Sequence, residues 1–416
     1  MAAREGKMTI QSAAVNLTKN LVGAGIFSLP MALRRGSVLP GVGVMALVGA
    51  LCGSSFVLIA YMCRALGCKT YREVWCAGFG RNSGWVPDVS ILLNGFFACV
   101  AYVILIVDFL QKALEGLFGW DVSRSTLVWS NTILFLLPLA HARNLSALKF
   151  TSIMGLVIIG LVFAYIVMDF LGGLGANMEN LRGDLFRVDM GLFSTVAICT
   201  GAFKAHYNAP KFFRELGEDL TAHSQVVIIS YGAAFAIYAS FALAGLGLFG
   251  DKVLGNLLKN YSAEGNVPIL LAWLGMAFAI VFTYPLVFSS ARDSIIGMSS
   301  ALQAASKSQP VATHVGITSS MVVLISILAC FLEDVSVVTG LLGATIGSCL
   351  CWIFPALIYL KVSGGPNKEL NAPLLPGGTK NGKLKGDGAL KCYSAILVLV
   401  GTASMCIGIC SVFGLL

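Results

Sequence analysis

The fold class of this chain can be argued from residues 16–30, which read Asn-Leu-Thr-Lys-Asn-Leu-Val-Gly-Ala-Gly-Ile-Phe-Ser-Leu-Pro. They lie in an apolar run, residues 10–33, that is long enough to cross the roughly 30 Å hydrocarbon core of a bilayer as a helix. Gly23 and Gly25 let the backbone leave helical geometry at little steric cost. Because lipid cannot satisfy free backbone N–H and C=O groups, an unwound stretch at this depth is expected to line a cavity.

The composition of the whole chain agrees with a membrane setting. Of its 416 residues, 57% are hydrophobic and 12% are charged, whereas soluble globular proteins carry about 25% charged residues. The apolar residues run from end to end, which excludes a disordered chain and a soluble enzyme with a membrane tail. The formal net charge of +8 is attributed to basic cytoplasmic loops rather than to a nucleic-acid partner.

Eleven apolar runs are candidates for membrane spans, which predicts an all-α, polytopic membrane protein with a single transmembrane domain, residues 1–416. The predicted spans are residues 10–33, 40–63, 88–111, 126–141, 148–171, 192–213, 224–249, 267–291, 313–332, 336–360 and 392–415. The fourth is the shortest. The link 361–391 is rich in Gly, Pro and Lys and is predicted to be a flexible linker.

Basic residues predict the orientation of the chain. With the N-terminus inside, the loops assigned to the cytoplasm carry more than twice as many Lys and Arg residues as the outer loops. We therefore expect a cytoplasmic N-terminus and an outer C-terminus. Of the three N-glycosylation sequons, at Asn16, Asn144 and Asn260, only that at Asn260 falls in a predicted outer loop, and it is the expected glycan acceptor.

A second interruption is predicted at a matching place in the chain. Residues 194–210 read Ser-Thr-Val-Ala-Ile-Cys-Thr-Gly-Ala-Phe-Lys-Ala-His-Tyr-Asn-Ala-Pro, with Thr200-Gly201 near the centre. The first break opens one set of five spans, residues 10–171, and the second opens the next set, residues 192–361. An odd number of spans per set inserts the second set upside down. Such inverted repeats with paired broken helices are the plan of many secondary transporters, whose substrate lies at the breaks.

The first break offers two kinds of backbone group. The amides of residues 23–27 would start a second half-helix whose positive dipole end suits a carboxylate, while the carbonyls of residues 19–22 would face a cation. Lys19 has two interpretations: a lysine that snorkels to the cytoplasmic surface, or a tethered cation that occupies or displaces an ion site. Lys204 is expected to be an anchor at a cytoplasmic helix end, and Asp108 a gating or capping group near the outer end.

Other classes of function find less support. The four histidines are scattered without catalytic spacing, so neither enzymatic activity nor a cofactor is expected. The 12 cysteines lie mostly in apolar runs with no CxxC pair, so neither a disulfide framework nor a metal site is expected. A channel is compatible with the composition. A nutrient sensor built on a transporter fold remains the main alternative to a carrier.

Motifs along the whole chain carry a family resemblance. The first is residues 16–30 with its core Gly23-Ala24-Gly25-Ile26. The others, in chain order, are Pro138-Leu139 with residues 145–152, His206-Tyr207-Asn208 with Glu215-Leu216, Phe282-Thr283-Tyr284-Pro285 with Arg292-Asp293-Ser294, and Gly340, Gly343, Gly347 and Pro355. Each is weak alone, but their order resembles that of the amino acid/auxin permease (amino acid transporter transmembrane) family of the amino acid–polyamine–organocation superfamily.

The resemblance implies a leucine-transporter-like fold of two inverted five-helix repeats plus an eleventh helix, residues 392–415. It implies cation-coupled symport of amino acids, taken to be neutral, by alternating access, in the plasma membrane or a vacuolar or lysosomal membrane. Another small amine or organic solute stays open as the substrate. The residues implied in substrate binding through backbone groups are Gly23, Ala24, Gly25 and Ile26, for the carboxylate, and Thr200, Gly201, Ala202 and Phe203, for the amino group and the side-chain pocket.

The implied ion site contains one departure from the family pattern. In sodium-coupled animal members an asparagine of the first span and a threonine of the eighth help to hold sodium. Thr283 matches the threonine, but the asparagine position falls on Lys19, where a positive charge repels sodium. Proton coupling is therefore favoured over sodium coupling. A shift of one residue would place Asn20 there instead, and Asn16 of the same helix is a further candidate.

Overall fold

The computed structural model describes residues 8–142, 148–262, 266–364 and 387–412, and every regular element in these ranges is helical. The sequon at Asn144 and most of the predicted linker, residues 365–386, lie outside the described residues. The α-helices are α1 (Ile10–Leu21), α2 (Leu29–Gly36), α3 (Val38–Leu66), α4 (Tyr71–Phe79), α5 (Trp85–Phe118), α6 (Arg124–Asn131), α7 (Leu137–His141), α8 (Leu148–Gly172), α9 (Leu174–Gly183), α10 (Gly191–Ala202), α11 (Ala209–Glu215), α12 (Leu220–Phe249), α13 (Val267–Met298), α14 (Ser300–Ser308), α15 (Pro310–Phe331), α16 (Val335–Leu342), α17 (Phe354–Ser363) and α18 (Gly388–Val412).

Long apolar helices dominate the structure. Within the described ranges, eight helices are long and apolar enough to cross a membrane. They are Val38–Leu66, Arg81–Phe118, Met154–Gly172, Leu220–Lys252, Val267–Met298, Pro310–Phe331, Val335–Ser363 and Gly388–Ser411. Each coincides with one of the eleven runs chosen from the sequence. The other three runs, the first, fourth and sixth, form shorter helical pieces.

The first predicted span is interrupted where the glycines stand. Helix α1 ends at Leu21, a 3₁₀ turn covers Ala24–Ser28, and α2 continues from Leu29. Pro30 lies in the first turn of α2, where its missing N–H costs no intrahelical bond. The backbone at Gly23 is extended (φ −130°, ψ −159°), which residues other than glycine also adopt. Glycine is therefore not required there by backbone strain.

The sixth predicted span is interrupted in a similar way. Helix α10 ends at Ala202, the backbone leaves helical geometry through Ala205, and a 3₁₀ turn, His206–Asn208, leads into α11. Pro210 occupies the first turn of α11, as Pro30 does in α2. Both interruptions predicted from the sequence are thus present in the structure.

The fourth and tenth predicted spans contain π-helices in place of a break. Between α6 and α7 the residues Thr132–Leu136 form a π-helix, and between α16 and α17 two π-helices follow each other, Gly343–Gly347 and Cys349–Ile353. Such π segments widen a helix locally and are frequent at functional sites. The pair between α16 and α17 lies against α10, next to the second break.

The helices pack against one another around a common apolar interior. Helix α13 packs along α5 and α8, while α1 and α2 pack on α12, and α10 lies between α2, α3, α16 and α18. Large aromatic side chains fill the interior; Phe27, Phe203 and Trp352 are at most 1% exposed. Outward-facing apolar residues such as Leu161 and Met168 of α8 are well exposed, as expected of helices that contact lipid.

Candidate functional site

The two helix breaks lie against each other in the interior. A Cβ atom built on Gly25 would stand 3.9 Å from the Cα atom of Ala202, so the two backbones are in van der Waals contact. Helix α10 packs on both α2 and the 3₁₀ turn Ala24–Ser28. The fold therefore brings together the two residue sets that the sequence places about 180 positions apart.

The first break exposes backbone donors toward open space. The 3₁₀ turn runs directly into α2, so residues 24–36 form one helical stretch whose first N–H groups have no intrahelical acceptor. The N–H of Ile26 is engaged, because it donates to the carbonyl oxygen of Gly23 at 3.2 Å. A Cβ atom added to Gly23 would meet nothing within 4 Å. The amides of residues 23–25 donate to no acceptor within the described parts of the chain, and they lie beside unfilled volume.

One tyrosine hydroxyl connects both breaks. Tyr238 Oη of α12 lies 2.5 Å from the carbonyl oxygen of Leu21 and 3.0 Å from that of Ala202, the last helical residues before the two breaks. A hydroxyl has one proton to donate, so the two carbonyls share it. The neighbouring Tyr231 donates to the carbonyl oxygen of Phe203 at 3.3 Å. Helix α12 therefore satisfies carbonyls that the breaks release from helical bonding.

The second break is filled by an aromatic side chain. Phe203 is fully buried, stacked at a ring-centroid distance of 6.1 Å on Tyr231 and edge-on at 5.0 Å to Tyr238. On the opposite side its ring leaves no room beside Gly49, where a Cβ atom would stand 3.1 Å from it. The side chain of Phe203 holds the second break in one conformation by packing.

Thr200 and Gly201, also in the predicted set, lie in the helical part of α10. The Thr200 hydroxyl donates to the carbonyl oxygen of Val196 within its own helix at 2.7 Å. Gly201 faces the tenth span, where a Cβ atom would stand 2.9 Å from the carbonyl oxygen of Thr339. In this structure the missing side chain of Gly201 allows close helix packing, as small residues do between membrane helices.

Three of the four candidate ion-coupling residues, Asn16, Lys19 and Asn20, lie on α1, and the fourth, Thr283, lies on α13. Asn16 and Asn20 are exposed, Lys19 is half-buried, and the Thr283 hydroxyl donates to the carbonyl oxygen of Ala279 at 2.8 Å. No hydrogen bond joins any two of these four, all of which belong to the described residues. Their common role in ion coupling therefore stays a prediction.

Lys204 does not occupy the position expected of a cytoplasmic anchor. Its ammonium nitrogen is sealed from solvent and has no hydrogen-bond partner among the described residues. Burial of an unpaired cation is costly, so this lysine is a functional candidate that the sequence analysis undervalued. The sequence feature that indicates such a role is the position of Lys204 inside an interrupted span, two residues after the end of α10.

A buried ion cluster closes the end of α5 that the sequence predicts to be outside. Asp108 is 1% exposed and accepts from Arg124 at 3.0 Å, from Lys259 at 3.3 Å and from Asn256 at 3.2 Å. Two cations and an amide around one carboxylate fix the 250–262 loop on α5 and α6. The gating or capping role expected for Asp108 stays a prediction.

Polar contacts also define the loop before α10. Arg187 bonds to Asp184 at 3.1 Å, pairs with Asp189, and donates to the carbonyl oxygen of Arg34 at 3.0 Å. The bond to the Asp184 carboxylate raises the pKa of the Arg187 guanidinium. The loop borders a cavity of about 430 Å³ at the end of α2, lined by Met31, Arg34, Arg35, Arg187, Asp189 and Gly191.

Two interrupted helices that meet inside a bundle of long apolar helices occur in many secondary transporters. A family model described as "Transmembrane amino acid transporter protein" matches residues 6–376. The chain belongs to this family of amino acid transporters, which confirms the resemblance found in its motifs.

Individual relatives are similar over most of their length. The amino acid transporter AVT6A of Arabidopsis thaliana is 27% identical over 377 residues, which cover 85% of this chain and 81% of the relative. The sodium-coupled neutral amino acid transporter 7 of Mus musculus is 25% identical over 372 residues, which cover 84% of this chain and 78% of the relative.

Solved structures share the fold at low sequence identity. The crystal structure of MhsT in complex with L-phenylalanine matches with a TM-score of 0.56 and 14% identity, over 99% of this chain and all of that one. The nucleobase-cation-symport-1 family transporter Mhp1 in a closed conformation matches with a TM-score of 0.54 and 14% identity, over 98% of this chain and 91% of that one.

Proposed function

We propose that the protein is a secondary active transporter that moves neutral amino acids together with a cation by alternating access around the two breaks. The observation that carries the proposal is the unfilled volume at Gly23, beside free amides and in contact with the second break. A bare backbone without strain serves the close approach of another molecule. We propose no catalytic activity for the chain.

The proposal includes eleven spans arranged as two inverted repeats of five and a final helix. Eight long apolar helices supply most of this count. The first and sixth spans would each cross as two half-helices, and the fourth as α6 and α7 joined by the π-helix. The interrupted spans open their respective sets of five, residues 10–171 and 192–361, as inverted repeats require.

The carboxylate of the substrate is assigned to the first break. The amides of Gly23, Ala24 and Gly25 begin a helical stretch, whose positive dipole end stabilises an anion, and Ile26 closes the turn behind them. The α-amino group and side chain are assigned to the backbone of residues 200–203. The buried ring of Phe203 makes this end apolar, which suits a neutral side chain.

The coupling ion is proposed to be a proton, and sodium is the alternative. The charge of Lys19, half-buried one turn before the first break, opposes a sodium ion at that place. The mouse relative is named as a sodium-coupled neutral amino acid transporter, which favours sodium. Lys19, Asn16, Asn20 and Thr283 are the residues proposed to take part in coupling.

The orientation and the membrane are also part of the proposal, and they rest on the distribution of basic residues and on the family. The N-terminus is proposed to be cytoplasmic, and the protein is assigned to the plasma membrane or to a vacuolar or lysosomal membrane. The loop with Asn260 would then face the outside. Its side-chain amide donates to the carbonyl oxygen of Lys252 at 2.7 Å and accepts from the amide of Leu254 at 2.9 Å.

The test is uptake into proteoliposomes that contain the full chain. A mixture of labelled neutral amino acids is offered with an inward proton gradient, an inward sodium gradient or neither, and empty liposomes are the control. Accumulation driven by the proton gradient alone supports the whole proposal. Accumulation driven by sodium alone retains the carrier and overturns the ion assignment. Folded protein that accumulates nothing under either gradient overturns the carrier assignment.

A further inference from the structure

Three soft metal ligands meet in the interior beside the second break. Cys52 of α3, His206 at the start of the 3₁₀ turn and Cys351 of the second π-helix are fully buried. Two thiol sulfurs and one imidazole nitrogen from these residues lie within 4.8 Å of one another. A tetrahedral ion with metal–sulfur bonds of about 2.3 Å holds two sulfurs about 3.8 Å apart, so the ligands need to move by only about an ångström.

The hydrogen bonds of His206 leave one ring nitrogen available. Nε2 lies 3.0 Å from the carbonyl oxygen of Cys52, which can only accept, so Nε2 carries the ring proton. The hydroxyl of Ser55, 2.9 Å from Nε2, has the carbonyl oxygens of Leu51 and Cys52 as acceptors for its own proton. Nδ1 is then an unprotonated acceptor, buried and without a hydrogen-bond partner among the described residues.

This arrangement is the one found around metal-binding histidines. Such residues donate their second ring N–H to a carbonyl or carboxylate, which fixes the tautomer and orients the free nitrogen. The indole N–H of Trp352, the residue after Cys351, is also buried and has no hydrogen-bond partner among the described residues.

We propose that Cys52, His206 and Cys351 form a binding site for one thiophilic metal ion, of the class of Zn²⁺, Cd²⁺ or Cu⁺. Thiolate sulfur selects these ions over Mg²⁺ and Ca²⁺. Spacing along the sequence gives no indication of the site, because its ligands come from three different helical elements.

The site joins parts of the chain that the proposed function requires to move. Cys52 belongs to the first predicted repeat, while His206 and Cys351 belong to the second. A bound ion would cross-link the two repeats, whereas alternating access moves one against the other. Metal binding would therefore hold the transporter in one state and stop transport. This part of the inference rests on the proposed function.

Direct binding tests the site independently of transport. The purified full chain is treated with a chelator, incubated overnight with Cd²⁺ and passed over a desalting column; bound cadmium and thiolate-to-cadmium absorbance are then measured. We expect one tightly bound Cd²⁺ per chain, and an affinity at least tenfold lower in Cys52→Ser and in Cys351→Ser. The matched control is Cys99→Ser, a fully buried cysteine of α5 outside the site, which should bind as the wild type does.

Two further variants separate this site from chance binding to other thiols. His206→Gln should weaken Cd²⁺ binding about tenfold while the thiolate absorbance persists. Lys204 lies two residues before His206 and its ammonium is buried, so removing this cation in Lys204→Met should strengthen Cd²⁺ binding. Gel filtration checks that each variant is folded. Wild-type chain that retains no cadmium, or folded variants of both cysteines that retain it unchanged, would overturn the proposal.

Uptake measured with Cd²⁺ tests the consequence for transport. Cadmium should inhibit the wild type and the Cys99→Ser control and leave Cys351→Ser active. Binding without any uptake in metal-free protein would overturn the proposed function and leave the site standing. If cadmium-loaded wild-type protein takes up amino acids as fast as the metal-free protein does, the proposed cross-link is overturned.

Discussion

Both breaks consist of a helix, a 3₁₀ turn and a second helix, but the side chains around them differ. At the first, no side chain stands within 4 Å of the position that a Cβ atom on Gly23 would take. At the second, the ring of Phe203 is fully buried between two tyrosines and α3. Neither break contains a residue with positive φ, so backbone strain does not explain either of them.

The difference assigns different tasks to the two breaks. At the first break the unwound backbone is unobstructed, so its amides are accessible to a substrate. This suits recognition of the carboxylate group that all amino acids share. At the second break the backbone is packed against the ring of Phe203 and keeps its conformation. Such a rigid wall can select substrate side chains by their size. The comparison therefore predicts that changes at the second break act on stability, and changes at the first act on transport.

The largest effect is expected from Gly343→Ala in the tenth span. The added Cβ atom would stand 1.8 Å from the carbonyl oxygen of Ala197, on the helix that leads to the second break. Overpacking of this kind costs about 3 kcal/mol, so the melting temperature of the purified protein should fall steeply. The control is Gly160→Ala in α8, which adds an atom to open space; equal melting temperatures for the two variants would contradict the close packing.

A smaller effect is expected from Tyr238→Phe, which removes the hydroxyl shared by the two breaks. Leaving a buried carbonyl without a donor costs about 1–3 kcal/mol, and the melting temperature should fall accordingly, with uptake reduced in parallel. Tyr231→Phe is the matched change, because it removes one longer bond of 3.3 Å at the second break alone. A larger loss of stability in Tyr231→Phe than in Tyr238→Phe would contradict the role of the shared hydroxyl.

The third prediction separates transport from stability. Gly23→Val puts its Cβ atom into the open volume at the first break, so the melting temperature should stay unchanged while the initial rate of uptake falls about tenfold, equivalent to about 1.4 kcal/mol. Gly43→Val, in an exposed part of α3 that is equally open, is the control and should transport normally. Wild-type uptake by Gly23→Val would remove the first break from the substrate site.

The smallest change in rate is expected from Lys19→Asn. Removing the charge one turn before the first break should let sodium stimulate uptake by a factor of a few, with no change in melting temperature, because the side chain is half-buried and joins no ion pair within the described part of the chain. Uptake is compared at equal proton gradient with sodium or choline outside. An unchanged dependence on protons, without any response to sodium, would end the role proposed for Lys19.

The sequence was sufficient to locate the breaks but not to explain how they are held. Glycines and prolines in apolar runs predict interruptions because backbone polar groups in lipid must be satisfied, and both interruptions are found where expected. The hydroxyl of Tyr238 could not be predicted, since it meets carbonyls 217 and 36 positions away in the chain.

Polar residues of the interior were the harder part to predict. Lys204 was assigned to a helix end from its position near a predicted boundary, yet its ammonium is enclosed. The thiols of Cys52 and Cys351 were treated as small packing residues, because no local spacing connects ligands on separate helices. Asp108 is expected from the sequence to gate or cap near a span end, but nothing in the sequence connects it to its partners Arg124, Asn256 and Lys259.

The contact at Gly343 also limits how this chain can change over generations. Every single-base change of a glycine codon that alters the amino acid introduces a Cβ atom, and here that atom would overlap the Ala197 carbonyl group. Every substitution of Gly343 therefore causes this overlap unless α10 has moved beforehand. A relative such as the Arabidopsis transporter, 27% identical, has diverged at most positions. In an alignment of many relatives, position 343 is expected to have kept its glycine while its neighbours varied.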